Sequence, residues 1–208
     1  MQQHFEVTAI SSEKAYLEKI GNREGVSTHP LEMTRQITPF SDLISLIKLT
    51  FYFLKVRPDI VHSHTPKAGI VGMAAAFLAR VPHRFHTVAG LPLLEETGKK
   101  RKVLDFVEKA TYFFATKVYP NSNGLKEIIL QNNYCSPKKL TVLANGSTNG
   151  INTTYFSNDH FSFAQKEELK ARYDIQDTDF VFIFVGRLVT DKGINELIVA
   201  FKKLKINH

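Results

Sequence analysis

Hydrophobic positions along the chain follow two alternating patterns, which predict strands that alternate with helices. Short apolar runs at 5–10, 59–62, 84–88, 118–119 and 140–143 predict β-strands. One-sided apolar spacing predicts helices at 41–56, 67–80, 99–117, 125–130 and 165–172, with a loop and short helix at 11–20. Strands and helices that alternate at this spacing indicate an α/β protein with a doubly wound parallel sheet.

Two of the predicted helices have features beyond their periodicity. Ser41 is placed to cap the first long helix, which should end at Val56 because Arg57-Pro58 cannot continue it. The helix at 67–80 is crowded with alanine and glycine. Small side chains allow close contact with a sheet, so we expect this helix to be buried.

The stretch from Phe180 to Lys192 carries the clearest chemistry. Residues 180–185 read FVFIFV, an unbroken apolar run that predicts a parallel strand covered on both faces. The strand should end at Gly186 and Arg187, and Lys192 and Gly193 should open an amphipathic helix. A guanidinium, an ammonium and the amides of a helix N-terminus suit a ligand with two phosphates, and Gly186 allows close backbone approach.

Composition narrows the classes of protein and partner. The 208 residues carry a formal charge of +7, which favours an anionic partner, and the single cysteine excludes an internal disulfide framework. No secretory signal is visible at the start, so we expect a cytoplasmic location. No nucleic-acid-binding module and no G-x-G-x-x-G motif after a strand is present, which argues against nucleic-acid binding and dinucleotide chemistry.

Three segments together resemble one enzyme family. The segment VGRLVTDKGINELIVAFKKL resembles the donor-site signature of retaining glycosyltransferases of family 4, which have the two-domain GT-B fold. The segments RPDIVHSHTPKAGIVGMAAAFLARVPHRFHTVAGLP and NGSTNGINTTYF are similar to other parts of that family. The similarity is greatest to members that build capsule, lipopolysaccharide or other lipid-linked glycans.

The resemblance implies a reaction and a donor site. Arg187 and Lys192, with Gly186, would bind the diphosphate of a nucleotide sugar, UDP-linked in our interpretation. The sugar would pass to a lipid-linked or polysaccharide acceptor with retention of configuration. No metal and no cofactor is expected.

The resemblance also implies the domain organisation. Residues 1–144 would form an acceptor-side Rossmann-like domain that lacks the family's first strand, and 145–178 a linker and connecting helix. Residues 179–208 would begin a second Rossmann-like domain, the donor domain. The family's acidic E-x7-E motif is absent from the chain, so we expect a fragment whose own activity is an open question.

Candidate acceptor-side residues follow the predicted strands. His64 and Lys67 lie in a loop after a strand, at the edge where doubly wound sheets bind ligands, and His86 is a further candidate. We expect His62 to be a core histidine bonded to backbone. The pair His62-x-His64 has no third ligand at a useful spacing, so no metal site is predicted. Ala89 stands where many family members have a histidine.

Some alternatives stay open at this point. The basic run that begins the helix from Lys99 to Lys117 could contact an anionic membrane surface, with Phe113 and Phe114 in its apolar face, or these aromatics could pack on the sheet. The chain could also be a non-catalytic module that binds glycan or phosphate. A nucleotide-sugar epimerase has the same architecture but needs no acceptor.

Overall fold

A computed structural model describes residues 4–34, 38–147, 150–189 and 192–204. The chain divides into two compact units, Met1–Gly150 and Ile151–His208. Residues 148–149 of the predicted linker and 205–208 of the predicted donor domain lie outside the described residues.

Unit 1 contains parallel strands arranged in two sheets. One sheet pairs β1 (Thr8–Ser11) with β2 (Ser27–Pro30). The other has the order β3-β4-β5, with β3 at Ile60–Ser63, β4 at His83–Val88 and β5 at Lys117–Pro120. All these pairings are parallel, and a helix follows each strand, so the predicted α/β fold class is confirmed.

The helices of unit 1 match the predicted segments with shifted ends. They are α1 (Lys14–Glu24), α2 (Pro39–Val56), α3 (Pro66–Leu78), α4 (Gly98–Phe114) and α5 (Asn123–Gln131). Short 3₁₀ turns at Pro92–Glu95 and Pro137–Lys139 lie in connections. Strand β2 had no counterpart in the prediction, because its sequence STHP is short and carries one polar or proline residue after another.

Two predicted helix boundaries and one predicted strand are wrong, each for an identifiable reason. Helix α2 begins at Pro39, not Ser41, because proline suits the first helical position and the Thr38 hydroxyl donates to Asp42 at 3.0 Å. Helix α4 ends at Phe114 because the backbone amide of Thr116 donates to the carbonyl oxygen of Arg84. This hydrogen bond directs the chain into β5. In place of the strand predicted at 140–143, only Leu140 forms a bridge, to Val118.

The core of unit 1 lies between the sheets and a layer of helices. Helix α3 packs against both α2 and α4, and its glycines and alanines are mostly buried, as its small side chains predicted. One core cluster joins α2 and α3 with residues from both sheets, and the other joins α4, α5, β4 and β5. Parallel strands therefore end at one edge of the β3-β4-β5 sheet, where α3 begins.

The described part of unit 2 contains a 3₁₀ turn (Asn158–His160) and two helices, α6 (Phe163–Arg172) and α7 (Ile194–Lys203). Ser162 and Gln165 form a capping box that fixes the start of α6. The buried strand predicted at 180–185 is wrong for this structure: the segment forms no strand, and Phe180, Ile183 and Val185 are more than four-fifths exposed. A parallel strand needs a hydrogen-bonded neighbour, and the described part of unit 2 offers none.

Candidate functional site

Polar side chains from β3 and β4 meet at the carboxyl edge of the three-stranded sheet. Ser63 lies opposite His86 in the parallel register, and His62 lies one residue earlier on the other face of the sheet. Strand alternation thus divides the histidines into two groups. His86 faces the helices, whereas His62 shares its face with Phe85 and Thr87.

His86 is fixed inside the protein beneath this edge. Its side chain is 3% exposed, and its Nδ1 lies 2.8 Å from the Ser63 hydroxyl. Gly69 of α3 lies directly against the ring, since a Cβ at this position would be 2.7 Å from His86 Cε1. Burial and, to a smaller extent, the charges of His62 and His64 together lower the pKa of His86 to about 4. The ring is therefore neutral near pH 7, and its hydrogen bond to Ser63 holds the carboxyl end of β3 in place.

His62 is exposed, so the predicted core histidine bonded to backbone is a wrong prediction. Its Nε2 lies 2.8 Å from the Thr87 hydroxyl, and its ring centroid is 4.2 Å from that of His64. Desolvation beside Phe85 and Tyr119, followed by the charge of His64, lowers its pKa to about 4. Desolvation also lowers the pKa of His64. Two neutral imidazoles can donate and accept hydrogen bonds at this edge.

Lys67 lies in the first turn of α3 and is held by an ion pair. Its ammonium is 2.5 Å from one Asp42 oxygen and 2.6 Å from the other, and 3.5 Å from the Thr38 hydroxyl. The Lys67 side chain is only 16% exposed. The contact joins the N-terminal ends of α2 and α3, and Lys67 follows His64 by three residues in the chain. Sequence reasoning missed Asp42, although an acidic residue in the first turn of a helix is a signal that could have identified it.

A small cavity lies beside Thr87 on the same face as His62. It is lined by Thr87, Tyr119, Pro120, Asn121, Leu143, Gly146 and Ser147. The amide of Asn121 donates to Val88 O at 3.0 Å and the amide of Ser147 donates to Asn121 O at 2.6 Å, which joins three loops into one wall. Gly146 has a φ of +84°, and a Cβ there would lie 2.3 Å from Asn121 O. A glycine is required at this point in the wall.

In unit 2, the predicted donor residues precede α7 in the chain. Gly193, with a φ of +69°, is the N-cap of α7, and Lys192 immediately precedes it, as predicted. Gly186 and Arg187 directly follow the mostly exposed 180–185 segment. The Val189 amide donates to Arg187 O at 2.9 Å, and the Lys192 amide donates to Val189 O at 3.0 Å. The diphosphate role of these residues stays a prediction.

The described residues contain no group of three or more His, Cys, Asp or Glu side chains that could hold a metal ion. Among the described helices, none is both long and apolar enough to cross a bilayer.

Comparisons with known proteins follow the same division of the chain. A profile described as "Glycosyl transferase 4-like domain" matches residues 2–146, and one described as "Glycosyl transferases group 1" matches residues 165–208. The chain is 39% identical to the capsular polysaccharide biosynthesis glycosyltransferase CapM of Staphylococcus aureus, over 97% of this chain and 51% of CapM. The chain thus spans about half the length of that relative.

The chain is also similar to a second relative and to two solved structures. The UDP-Gal:alpha-D-GlcNAc-diphosphoundecaprenol alpha-1,3-galactosyltransferase of Escherichia coli is 36% identical, over 77% of this chain and 40% of the enzyme. The structure of Anabaena HepE in complex with UDP-glucose has a TM-score of 0.65 at 18% identity, covering 91% of this chain and 47% of HepE. A UDP-N-acetylglucosamine 2-epimerase has a TM-score of 0.51 at 19% identity, covering 72% of this chain and 45% of the epimerase chain.

Proposed function

Because the chain belongs to the glycosyl transferase 4-like family, we propose that the protein transfers a sugar from a nucleotide-diphosphate donor to a lipid-linked or polysaccharide acceptor. One observation carries the proposal: the two family matches, at 2–146 and 165–208, follow each other in order along the chain. The fold supports it, since unit 1 presents a polar edge at the carboxyl ends of parallel strands.

The donor is proposed to be UDP-linked and to bind through Arg187, Lys192 and Gly186. A guanidinium pairs with phosphate oxygens in a bidentate way, and the ammonium and the α7 amides add further donors. These groups stabilise the charge that develops on a departing diphosphate, without a metal. We propose that the reaction retains the configuration of the sugar.

The acceptor is proposed to approach the carboxyl edge of unit 1. His64 is exposed there, Lys67 follows in the first turn of α3, where it pairs with Asp42, and Thr87 lines the neighbouring cavity. His86 is buried, so we propose that it supports Ser63 and the strand ends from below. The lipid-linked class of acceptor is supported by the name of the Escherichia coli relative. The basic helix α4 is proposed to contact the membrane that holds such an acceptor.

The experiment uses the whole protein, a panel of labelled UDP-sugars and an undecaprenyl-diphosphate-linked sugar as acceptor. We expect the label to move to the lipid fraction, with the anomeric configuration of the donor preserved in the product. Conversion of the donor to its epimer without acceptor would favour the epimerase. Binding of donor without turnover would favour the non-catalytic module.

A further inference from the structure

The ion pair between Asp42 and Lys67 lies where two strand-to-helix connections meet. Asp42 is in the first turn of α2, which follows β2, and Lys67 is in the first turn of α3, which follows β3. Both β2 and β3 belong to parallel pairs, so each connection leaves the carboxyl end of a strand, where such sheets bind ligands. The pair therefore belongs to the carboxyl edge of unit 1, and its charges bear on what this edge binds.

Stability gives little reason for this ion pair. The contact between α2 and α3 already rests on a buried apolar cluster that includes Leu49, Phe53 and Val71. Lys67 stands in the first turn of a helix, where a cation opposes the helix dipole, and α3 has no acidic residue in that turn. Residues that break such local rules are expected at functional sites. A role in binding therefore explains the placement of Lys67 better than a role in folding.

Asp42 keeps other hydrogen bonds if Lys67 moves away. The Thr38 hydroxyl donates to one Asp42 oxygen at 3.0 Å, and the Thr38 amide donates to the other at 3.4 Å. A carboxylate in the first turn of α2 also complements the dipole of that helix. Lys67 donates to the two Asp42 oxygens and, at 3.5 Å, to the Thr38 hydroxyl. Its ammonium stands on a flexible stem, so it is the partner that a competing anion can draw away.

A competing anion must offer more than one carboxylate does. Both Asp42 oxygens lie close to the ammonium, at 2.6 and 2.5 Å. The hydroxyl groups of a glycan are neutral, and a single phosphodiester carries the same charge as the carboxylate. A diphosphate that joins a lipid to a sugar carries about twice that charge, so it can exchange with Asp42 for the ammonium.

The neighbouring histidines suit a ligand of this kind but do not select for its charge. The ring centroids of His62 and His64 are 4.2 Å apart, directly before α3. Desolvation lowers the pKa of both side chains, so both rings are neutral near pH 7. Neutral imidazoles donate a hydrogen bond to a phosphate oxygen or to a sugar hydroxyl. Lys67 is therefore the group beside α3 that distinguishes anionic from neutral acceptors.

We propose that Asp42 is a specificity-determining residue, which occupies Lys67 until the diphosphate of a lipid-linked acceptor displaces its carboxylate. The carboxyl edge then accepts a sugar that is joined to a lipid by a diphosphate, and it rejects the end of a phosphate-free polysaccharide chain. This inference rests on the proposed function for the transfer of the sugar, but the binding of the acceptor can be measured by itself.

Calorimetric titration into the whole protein measures this binding, with excess UDP present to fill a diphosphate site for the donor. Three titrants share N-acetylglucosamine and a geranyl chain and differ in the link, which is a diphosphate, a single phosphate or a direct glycosidic bond. We expect the diphosphate compound to bind the unchanged protein about tenfold more tightly than the other two. Its binding should weaken with added salt.

The two partners of the ion pair should have opposite effects on the diphosphate compound. Lys67→Gln should weaken its binding about tenfold or more, because a charge-assisted contact is lost. Asp42→Asn should strengthen its binding about threefold or more, because the competing carboxylate is gone. The preference for the diphosphate over the single phosphate should shrink in Asp42→Asn. Neither change should alter the binding of the phosphate-free compound by more than about twofold.

Conservative variants and a second ion pair provide the controls. Lys67→Arg and Asp42→Glu keep the charges and should bind the diphosphate compound within about threefold of the unchanged protein. Lys14 and Glu18 form an exposed pair on α1, with their charged atoms 3.9 Å apart. Lys14→Gln and Glu18→Gln make the same charge changes and should leave the affinity within about twofold. If Lys67→Gln does not fold, Asp42→Asn decides by itself, because loss of a structural contact does not strengthen binding.

Weaker binding of the diphosphate compound in both variants would overturn the inference, because the pair would then only join α2 to α3. No binding of that compound, unchanged binding in both variants, or equal binding of all three compounds would overturn it as well. Sugar transfer together with any of these results would contradict only this inference. Opposite effects of the two variants on binding, without sugar transfer, would contradict only the proposed function.

Discussion

At the residue scale, the buried contact between Gly69 and His86 determines how closely α3 approaches the sheet. Gly69→Ala would place a methyl group 2.7 Å from His86 Cε1 and 3.0 Å from Thr111 Cγ2. Because Ser63 holds the imidazole, the ring cannot move away freely. We expect the free energy of unfolding to fall by about 1 to 3 kcal/mol, measured by urea denaturation.

Gly72 provides the matched control in the same helix. The nearest atom to an added Cβ there is Ser63 Cβ at 4.0 Å, an ordinary contact. Gly72→Ala should leave stability unchanged or raise it by up to about 1 kcal/mol, because alanine favours a helix more than glycine does. Equal losses in both variants would contradict the role given to the Gly69 contact.

His86 also makes stability depend on pH. Its pKa of about 4 in the folded protein is below its ordinary value of 6.5, so the unfolded chain binds the proton more tightly. The contribution of the neutral His86 ring to the free energy of unfolding is complete above pH 6.5. It is lost progressively as pH falls from 6.5 towards 4, by a total of about 3 kcal/mol.

Urea denaturation at several pH values between 7.5 and 5 tests this dependence. His86→Asn, which cannot titrate in this range, should reduce the slope of stability against pH. His83→Asn, at the exposed start of β4, is the control and should keep it. An unchanged slope in His86→Asn would show that the imidazole is not held neutral.

At the element scale, Lys139 caps the C-terminal end of α4. Its ammonium donates to the carbonyls of Tyr112, Phe113 and Ala115 at 3.0, 2.9 and 2.7 Å. Backbone carbonyls at a helix end have no partner within the helix, and a cation there also complements the helix dipole. The connection from α4 into β5 therefore depends on a residue that is distant in sequence.

Lys139→Met should lower the free energy of unfolding by about 1 to 2 kcal/mol, since three charge-assisted hydrogen bonds are lost at a partly exposed position. Chemical denaturation measures this change. Lys138→Met is the neighbouring control, because the Lys138 side chain is exposed, and it should have an effect below about 0.5 kcal/mol. Similar losses of stability in the two variants would indicate a general effect of removing a positive charge and would contradict the capping role of Lys139.

At the scale of the whole molecule, the two units differ in how much of their structure is buried. Val88 of β4 and Val118 of β5 belong to a core cluster, whereas residues 180–185 are exposed except for the half-buried Phe184 and form no strand. In this 208-residue chain, we expect the amides of β4 to be strongly protected from hydrogen exchange and those of 180–185 to exchange rapidly. Strong protection at 180–185 would contradict the structure described for unit 2.

The sequence predicted the fold class and most helices because those features depend on local periodicity and composition. The small residues of α3 and the apolar run of β4, for example, are patterns of residues that are close in the chain. It could not predict that Lys139 caps α4 or that Asp42 pairs with Lys67, because these contacts join residues that are far apart in the chain. It could not predict that α2 begins directly after Thr38, because Thr38 and Ser41 are both suitable residues for the start of a helix. The 180–185 segment has a strand sequence, but strand formation also needs a pairing partner.

The central claim is that the protein binds a nucleotide-diphosphate sugar through Arg187 and Lys192, and calorimetric titration of UDP-glucose into the whole protein tests it most directly. We expect Arg187→Ala to weaken binding about tenfold or more, because a charge-assisted hydrogen bond contributes roughly 1.5 to 3 kcal/mol. Arg172→Ala, in the polar helix α6, is the control and should bind as the unchanged protein does. Equal affinity of the Arg187→Ala variant and the unchanged protein would contradict the claim.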